Sequence, residues 1–179
     1  IGELIGKEGQ GLATMFLMMN EARIQVGLVA SCLGYAGYAQ SLAYAKDRCQ
    51  GRIASKKEPG QAQTPIVNHS DVKRMLLLQK AQVEGSLALC FFGSLLVDQT
   101  HDTSTLDDTD AQDLFLLLDT LTPIIKSWPS EWCLEANKWA IQTFGGAGFV
   151  KDNDVEQFYR DNRLNMIHEG TNGIQSLDL

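Results

Sequence analysis

One carboxylate near the C-terminal end of the chain stands where it could act as a general base. Glu169 lies in residues 167–172 (IHEGTN), where Gly170-Thr171 predicts a glycine turn that opens a new helix. Proton abstraction from carbon needs such a carboxylate within reach of the proton and shielded from water. From these residues alone, the commoner interpretation is a solvated acid that the helix dipole favours at a helix start.

Two further segments precede this carboxylate at fixed separations. Residues 144–149 read FGGAGF, and residues 155–161 read VEQFYRD. Together with Ile167-His168-Glu169-Gly170-Thr171, this ordered pattern strongly resembles the C-terminal helical domain of the acyl-CoA dehydrogenases. The resemblance extends over essentially all 179 residues, from GKEGQG at 6–11 to Ile174-Gln175.

The resemblance implies a specific reaction for Glu169. In that family, the matching glutamate removes the α-proton of an acyl-CoA thioester, and the β-hydride passes to flavin adenine dinucleotide (FAD), which supplies the redox chemistry. The α-proton is too weakly acidic for a carboxylate in water, so desolvation and hydrogen bonds to the thioester carbonyl are required. The resemblance implies that the backbone N–H of Glu169 and a ribityl hydroxyl of the flavin donate those bonds.

The cofactor-binding residues also follow from the resemblance. A lone arginine at a helix end is ordinarily a cation that the dipole favours, and a glycine run is ordinarily a helix C-cap. No strand precedes the glycines, which excludes a Rossmann motif. The resemblance implies that Thr171 contacts the FAD of its own subunit, and that the FAD of a neighbouring subunit is contacted by Arg48, Gln50, Gln142, Gly145 and Gly146. The chain departs from many family members at Gln50-Gly51-Arg52 and at Gly173.

Three residues are predicted to bind the substrate: Asn20, Arg23 and Gly170. Arg23 interrupts an apolar helical face, and its alternative interpretation is a long side chain that reaches solvent. Asn20 stands where well-known family members carry Asp. His69 and His168 are interpreted as structural or pocket-lining residues.

Apolar periodicity predicts the helices that must position these residues. The spacing favours helices over about 12–48, 71–99, 110–122 and 128–143, followed by short ones over 155–164 and from 171 onward. Pro123 is expected to break or kink the third helix, Thr109 or Asp110 to cap it, and the glycines at 145–146 to end the continuation. Loops are expected at 51–65 and 100–110. The predicted fold is all-α, an up-down four-helix bundle with a C-terminal helical extension.

Composition excludes several classes of function. The formal net charge of -7 argues against a nucleic-acid partner. No run of about 18 unbroken apolar residues occurs, so no membrane span is expected. The four cysteines form no CxxC pair and are interpreted as buried free thiols in a reducing compartment, which predicts a cytoplasmic protein. Glu-x-x-His pairs are absent, so neither a ferritin-like di-metal centre nor any other metal site is expected.

The chain is expected to be part of a larger flavoenzyme. Residues 1–179 are interpreted as the C-terminal helical domain, a fragment without the family's N-terminal helical and middle β domains. The implied partners are an acyl-CoA substrate, an electron-transfer flavoprotein and further copies in a homodimer or homotetramer. The alternatives are an acyl-CoA oxidase that uses oxygen as acceptor, and an oligomerisation bundle that is inactive in isolation. The variants near residues 50 and 172 hint at a subgroup that acts on methylthio-propionyl or other unusual thioesters.

Overall fold

The computed structural model describes residues 2–53, 60–104 and 106–179. Within these ranges the helices are α1 (Gly11–Asp47), α2 (Ser70–His101), α3 (Asp108–Phe144), α4 (Val155–Asn162) and α5 (Asn172–Leu177), with 3-10 turns at Ile66–Asn68, Gly145–Phe149 and Arg163–Met166. The predicted loops at 51–65 and 100–110 include residues 54–59 and 105, which lie outside the described residues. Extended pairing in the described ranges is limited to an isolated bridge between Cys49 and Pro65.

The three long helices run up, down and up. Two levels of contact between them establish this order: Gly27 with Cys90 and Ile125, and Gly34 with Val83 and Cys133. Residue numbers rise together along α1 and α3 and fall along α2, so α1 and α3 are parallel and α2 is antiparallel to both. The short helix α4 packs against α1 and α3. These observations confirm the predicted all-α up-down bundle with its C-terminal helical extension.

Of the predicted break or kink at Pro123, the break is wrong, because α3 continues through both Pro123 and Pro129. The kink stays a prediction. Both prolines are buried in the bundle, where packing of the helix outweighs its low local propensity. Neighbouring hydroxyls add hydrogen bonds to helix carbonyls: Thr122 Oγ1 donates to Leu118 O over 2.7 Å, and Ser127 Oγ donates to Pro123 O over 2.6 Å. The two helices predicted over 110–143 are therefore one.

Pro129 lies one turn after a close contact between α1 and α3. Because Pro129 has no N–H, the carbonyl of Ile125 lacks its usual donor four residues later. The backbone of Gly27 lies against this carbonyl so closely that a Cβ at Gly27 would be 2.2 Å from Ile125 O. The contact brings Arg23, one turn before Gly27, to the same level as Lys126, which follows Ile125.

Both ends of α3 have clear local causes. The cap is Asp107, not the predicted Thr109 or Asp110: its Oδ1 accepts hydrogen bonds from Thr109 N (2.9 Å) and Asp110 N (2.8 Å). The glycine stop is confirmed, since Gly145 has a φ of 63° and its N–H donates back to the last turn.

The prediction of buried free cysteines holds for two of the four. All four thiols are free, Cys90 and Cys133 are buried, and Cys32 and Cys49 are exposed. Burial raises the pKa of the Cys133 thiol to about 11, although hydroxyls of Ser86 and Ser31 oppose the shift. Exposure of Cys32 shows that the apolar pattern of α1 continues onto its surface.

Helix α2 is long and apolar enough, by length and composition alone, to cross a membrane. An 18-residue window of this helix has a mean hydropathy of 1.2. A bundle helix that buries one face passes the same test, and α2 buries Val83, Cys90 and Leu96 against its neighbours. The expected absence of a membrane span therefore stays a prediction.

Substitution of Gly27 tests the contact between α1 and α3. We expect Gly27→Ala to lower the free energy of unfolding by about 1–3 kcal/mol, because the new Cβ forces the two helices apart. Gly85→Ala is the control: it lies on the exposed face of α2, and its Cβ would meet only Trp128 Cη2 at 3.8 Å. The control should leave stability unchanged or raise it by up to about 1 kcal/mol. Denaturant unfolding measures both, and equal midpoints would contradict the close contact.

Candidate active site and cofactor cleft

A cleft of about 770 Å³ lies at the end of the bundle where α1 and α3 both finish. It gathers all five residues that were predicted to bind a neighbouring subunit's cofactor: Arg48, Gln50, Gln142, Gly145 and Gly146. These residues come from the C-terminal ends of two helices that are far apart in sequence. Their grouping is a property of the parallel arrangement of α1 and α3.

Backbone hydrogen bonds hold Arg48 and Gln50 at the rim of this cleft. Arg48 ends α1 by donating its N–H to Tyr44 O (2.8 Å), and its own carbonyl accepts from Ile66 N (2.8 Å). The carbonyl of Gln50 accepts from His69 Nε2 over 2.7 Å. His69, interpreted from sequence as structural or pocket-lining, has both roles: it holds the Gln50 carbonyl, and it lines the cleft.

The residues of the cleft fit a phosphate-bearing dinucleotide. The exposed guanidinium of Arg48 suits a pyrophosphate, which it can contact through two parallel donors. Gly145 and Gly146 border open space, because a Cβ at either position would meet nothing within 4 Å. A ligand can therefore approach their backbone directly. Tyr44 and Phe144, stacked with their ring centroids 4.2 Å apart, provide a flat apolar wall.

The turn that carries the predicted base has an uncommon backbone. Glu169 has a φ of 52° and is the one non-glycine residue with positive φ among those described, and Gly170 follows with a φ of 87°. A left-handed conformation at a non-glycine residue costs on the order of 1–3 kcal/mol, so the surroundings must enforce it. They do so through the carbonyls: Gln175 Nε2 donates to Glu169 O and Gly170 O (both 3.2 Å), and Lys126 Nζ donates to Gly170 O (2.6 Å).

Lys126 is a residue that sequence reasoning missed. Its side chain is fully buried between α3 and the Glu169 turn. Burial lowers the pKa of Lys126 to about 8, with the nearby Arg23 cation acting in the same direction and the Glu169 carboxylate opposing it. The available signal was position: Lys126 lies seven residues before Cys133 on the apolar stripe of α3, where a lysine is out of place.

Arg23 lies close to this turn and does not reach solvent. Its side chain is only 10% exposed and pairs with Asp178 over 2.7 Å, while Arg23 Nε is buried without a partner among the described residues. Arg23 and Asn20 line a cleft of about 330 Å³ with Asp119 and Asp178. Two of the three residues predicted to bind substrate are thus adjacent, and Lys126 links them to the third, Gly170.

A chain of buried amides connects the bundle to His168, the residue before Glu169. Its hydrogen bonds run from backbone carbonyls in α1 through α3 and α4: Asn137 Nδ2 to Leu33 O (2.9 Å), Asn162 Nδ2 to Ala30 O (3.2 Å) and to Asn137 Oδ1 (2.7 Å), Asn165 Nδ2 to Asn162 Oδ1 (2.9 Å), and His168 Nε2 to Asn165 Oδ1 (3.0 Å). Sequence reasoning did not identify this amide chain.

The amide chain has one possible direction. Carbonyls can only accept, so the amide nitrogens of Asn137 and Asn162 must face Leu33 O and Ala30 O. Each amide oxygen then faces the next residue, and Asn165 presents an acceptor to the imidazole. His168 must therefore carry its proton on Nε2, which leaves Nδ1 as the nitrogen that can accept.

The cofactor cleft and the Glu169 turn are distant from each other within the chain. Lys126 touches the turn, Gln142 lines the cleft, and about 24 Å of continuous helix separates them along the axis of α3. Thr171, predicted to contact its own subunit's cofactor, is the exposed cap of α5 next to the base. The structure thus brings the predicted residues together in two groups, not one.

Comparison with known proteins decides the family. The profile described as "Acyl-CoA dehydrogenase, C-terminal domain" matches residues 9–179. The chain belongs to the acyl-CoA dehydrogenase family. It is 37% identical over 180 residues to 3-methylmercaptopropionyl-CoA dehydrogenase of Ruegeria pomeroyi, and 34% identical over 181 residues to the broad-specificity linear acyl-CoA dehydrogenase FadE5 of Mycobacterium tuberculosis. Each alignment covers 99% of this chain and 29% of the relative.

A solved structure of another acyl-CoA dehydrogenase family protein shares the fold. Caenorhabditis elegans ACDH-11, solved in complex with C11-CoA, superposes with a TM-score of 0.82 at 21% sequence identity. The match covers 97% of this chain and 27% of that chain. At this identity the likeness supports the fold alone.

The direction of the amide chain in this acyl-CoA dehydrogenase family member can be tested with an isosteric change. Asn162→Asp replaces a donor by an acceptor that faces two oxygens, and we expect a loss of unfolding free energy of about 1–3 kcal/mol or more. Asn68→Asp is the matched control, since Asn68 is exposed and donates only to Thr64 Oγ1. Thermal or denaturant unfolding compares the two. Equal stability of both variants would show that the amide chain is not formed.

Proposed function

We propose that this chain is the C-terminal helical domain of an FAD-dependent acyl-CoA dehydrogenase, with Glu169 as the base that removes the substrate α-proton. The observation that carries the proposal is the left-handed turn at Glu169-Gly170, which the interior of the bundle clamps through its carbonyls. Strain of this kind persists only where the surroundings enforce it, and it concentrates at catalytic sites. Membership of the family supports the assignment of the reaction.

The clamped turn has a direct chemical consequence. In a planar trans peptide, the C=O of one residue and the N–H of the next point in opposite directions. Because the carbonyls of Glu169 and Gly170 are bound from the interior, the N–H groups of Gly170 and Thr171 point away from it. Glu169, which is partly buried, belongs to the same turn as these donors. A base and hydrogen-bond donors on one rigid turn can act together on the α-proton and the carbonyl oxygen of a thioester. The Glu169 N–H, which the family resemblance implies as a donor to that oxygen, belongs to the same turn.

The proposed roles of the other site residues follow from the two groups. Asn20, Arg23 and Gly170 bind the acyl-CoA around the base. Thr171 contacts FAD bound to its own subunit. When bound, FAD accepts the hydride from the β-carbon of the substrate. Glu169 retains the α-proton on its carboxylate.

The distance between the two groups supports an oligomer. Residues of the cleft at Arg48 and Gln142 lie about 24 Å of helix from Lys126 and the Glu169 turn. We therefore assign the cleft residues (Arg48, Gln50, Gln142, Gly145 and Gly146) to the FAD of a neighbouring subunit, in a homodimer or homotetramer. The proposed electron acceptor is an electron-transfer flavoprotein, and the proposed compartment is the cytoplasm.

The role of Glu169 is tested by Glu169→Gln in the full-length protein. We expect turnover of acyl-CoA to fall by at least about 100-fold, because the amide cannot accept the α-proton, while the FAD content stays unchanged. Glu84→Gln is the control, since Glu84 is exposed on α2 and pairs with Lys80. Dye-coupled turnover and the flavin spectrum measure both properties. Turnover near wild type would place the base elsewhere.

The role of the cleft is tested by Arg48→Met. Loss of a charge-assisted contact to the pyrophosphate should weaken FAD binding by about 10- to 100-fold. Arg52→Met provides the comparison, because Arg52 is exposed nearby but lines a different cleft, where it donates to Gln61 O over 2.7 Å. Titration of the apoprotein of each variant with FAD gives the affinities. If both variants bound FAD as tightly as wild type, the cleft would not be the cofactor site.

A further inference from the structure

Lys126 is the largest fully buried side chain among the described residues, and it carries a charge that apolar packing does not require. Its ammonium is fully buried, and no carboxylate among the described residues lies within salt-bridge distance. Burying an uncharged residue at this position would require less desolvation free energy, because moving a charge out of water is unfavourable unless a partner of opposite charge compensates it. The hydrogen bond that the described structure gives its Nζ is the one to Gly170 O at 2.6 Å.

The acceptor of this bond is part of the turn that holds the base. Glu169 and Gly170 are consecutive left-handed residues, and Gln175 Nε2 reaches both of their carbonyls at 3.2 Å. A side chain at Gly170 would be strained at its φ of 87°, and its Cβ, 2.5 Å from Gln175 Nε2, would displace that donor. Lys126 from α3 and Gln175 from α5 therefore both donate hydrogen bonds to the Gly170 carbonyl oxygen. Of these two donors, Lys126 is the charged one.

We propose that Lys126 is a positioning residue for the base: its ammonium fixes the Gly170 carbonyl and so keeps the Glu169 turn in its left-handed form. This inference rests on the proposed function of Glu169. Lys126 does not touch the substrate in this scheme. It acts through the turn, whose carboxylate and outward N–H groups lose their shared orientation when the carbonyl is released.

The charge of Lys126 makes the clamp sensitive to pH. Burial and the nearby Arg23 lower the pKa of Lys126 to about 8, and Glu169 opposes this shift. The charged groups that face Lys126 are Arg23 from α1 and Glu169 from the turn, with Asp178 beyond Arg23 as its partner. Below pH 8 the ammonium is the dominant form and the carbonyl has a charged donor. As pH rises through 8, the amine loses its charge and the clamp weakens.

The experiment is Lys126→Met in the full-length flavoenzyme, with Lys138→Met as control. Lys138 lies on the same helix but is exposed and pairs with Glu135. We expect hydrogen exchange of the hydrogen-bonded amides that flank the turn, His168 and residues 175–177, to accelerate about ten-fold or more in Lys126→Met, since a hydrogen bond from a charged group is lost. Turnover should fall, whereas KM and FAD content should stay close to wild type. Lys138→Met should change none of these.

Two results would overturn the proposal. The first is exchange of His168 and residues 175–177 in Lys126→Met at the wild-type rate. The second applies if Lys126→Met does not fold with its flavin, and it is measured on the wild-type enzyme. The clamp requires that exchange of the same amides, corrected for the intrinsic rate, accelerates above pH 8 while residues 133–144 remain protected. A flat profile would exclude the clamp. If Lys126→Met loosens the turn while Glu169→Gln keeps its turnover, the proposed base fails and the clamp stands.

Discussion

The contact between the backbone of Gly27 and the carbonyl of Ile125 is the constraint on which the rest of the structure depends. Pro129 removes the donor from that carbonyl, and the missing side chain at Gly27 lets the neighbouring helix approach it. At this distance the Cα–H group of Gly27 can donate a weak hydrogen bond to the Ile125 carbonyl, which stabilises the fold by at most about 1 kcal/mol. Its larger effect is geometric, because α1 and α3 come close enough for Arg23 and Lys126 to share one buried layer.

That layer shows how an apolar bundle can carry charged side chains without losing a defined structure. Buried polar groups are costly when unpaired, and satisfied networks fix a single arrangement. The amide chain from Asn137 to His168 pairs its members across α1, α3 and α4, while Lys126 and Gln175 pair with the turn. These bonds act together with the apolar packing of Val155 and Phe158 against Ala140 and Phe144 to hold the short C-terminal elements on the long helices.

Much of the fold was readable from the sequence, and the exceptions have physical causes. Apolar periodicity and the glycines at 145–146 predicted the long helices and the stop of α3. Pro123 misled because its cost is local, whereas the packing that overcomes it comes from helices far away in sequence. The resemblance selected residues that the structure gathers into a cleft and a turn, and their roles stay predictions. The spacing within α3 marks Lys126 as out of place, but the partners of Lys126 and of the amide chain lie on other elements, which no spacing within one segment reveals.

The fixed direction of the amide chain has a consequence for how this domain can change over evolutionary time. Each amide oxygen is committed to the next donor, so no member can be reversed alone without setting two oxygens or two N–H groups against each other. Viable replacements must therefore arise jointly, or all at once as apolar residues of equal volume. Positions 137, 162, 165 and 168 should behave as one inherited unit, although they are scattered over three elements and far apart along the chain.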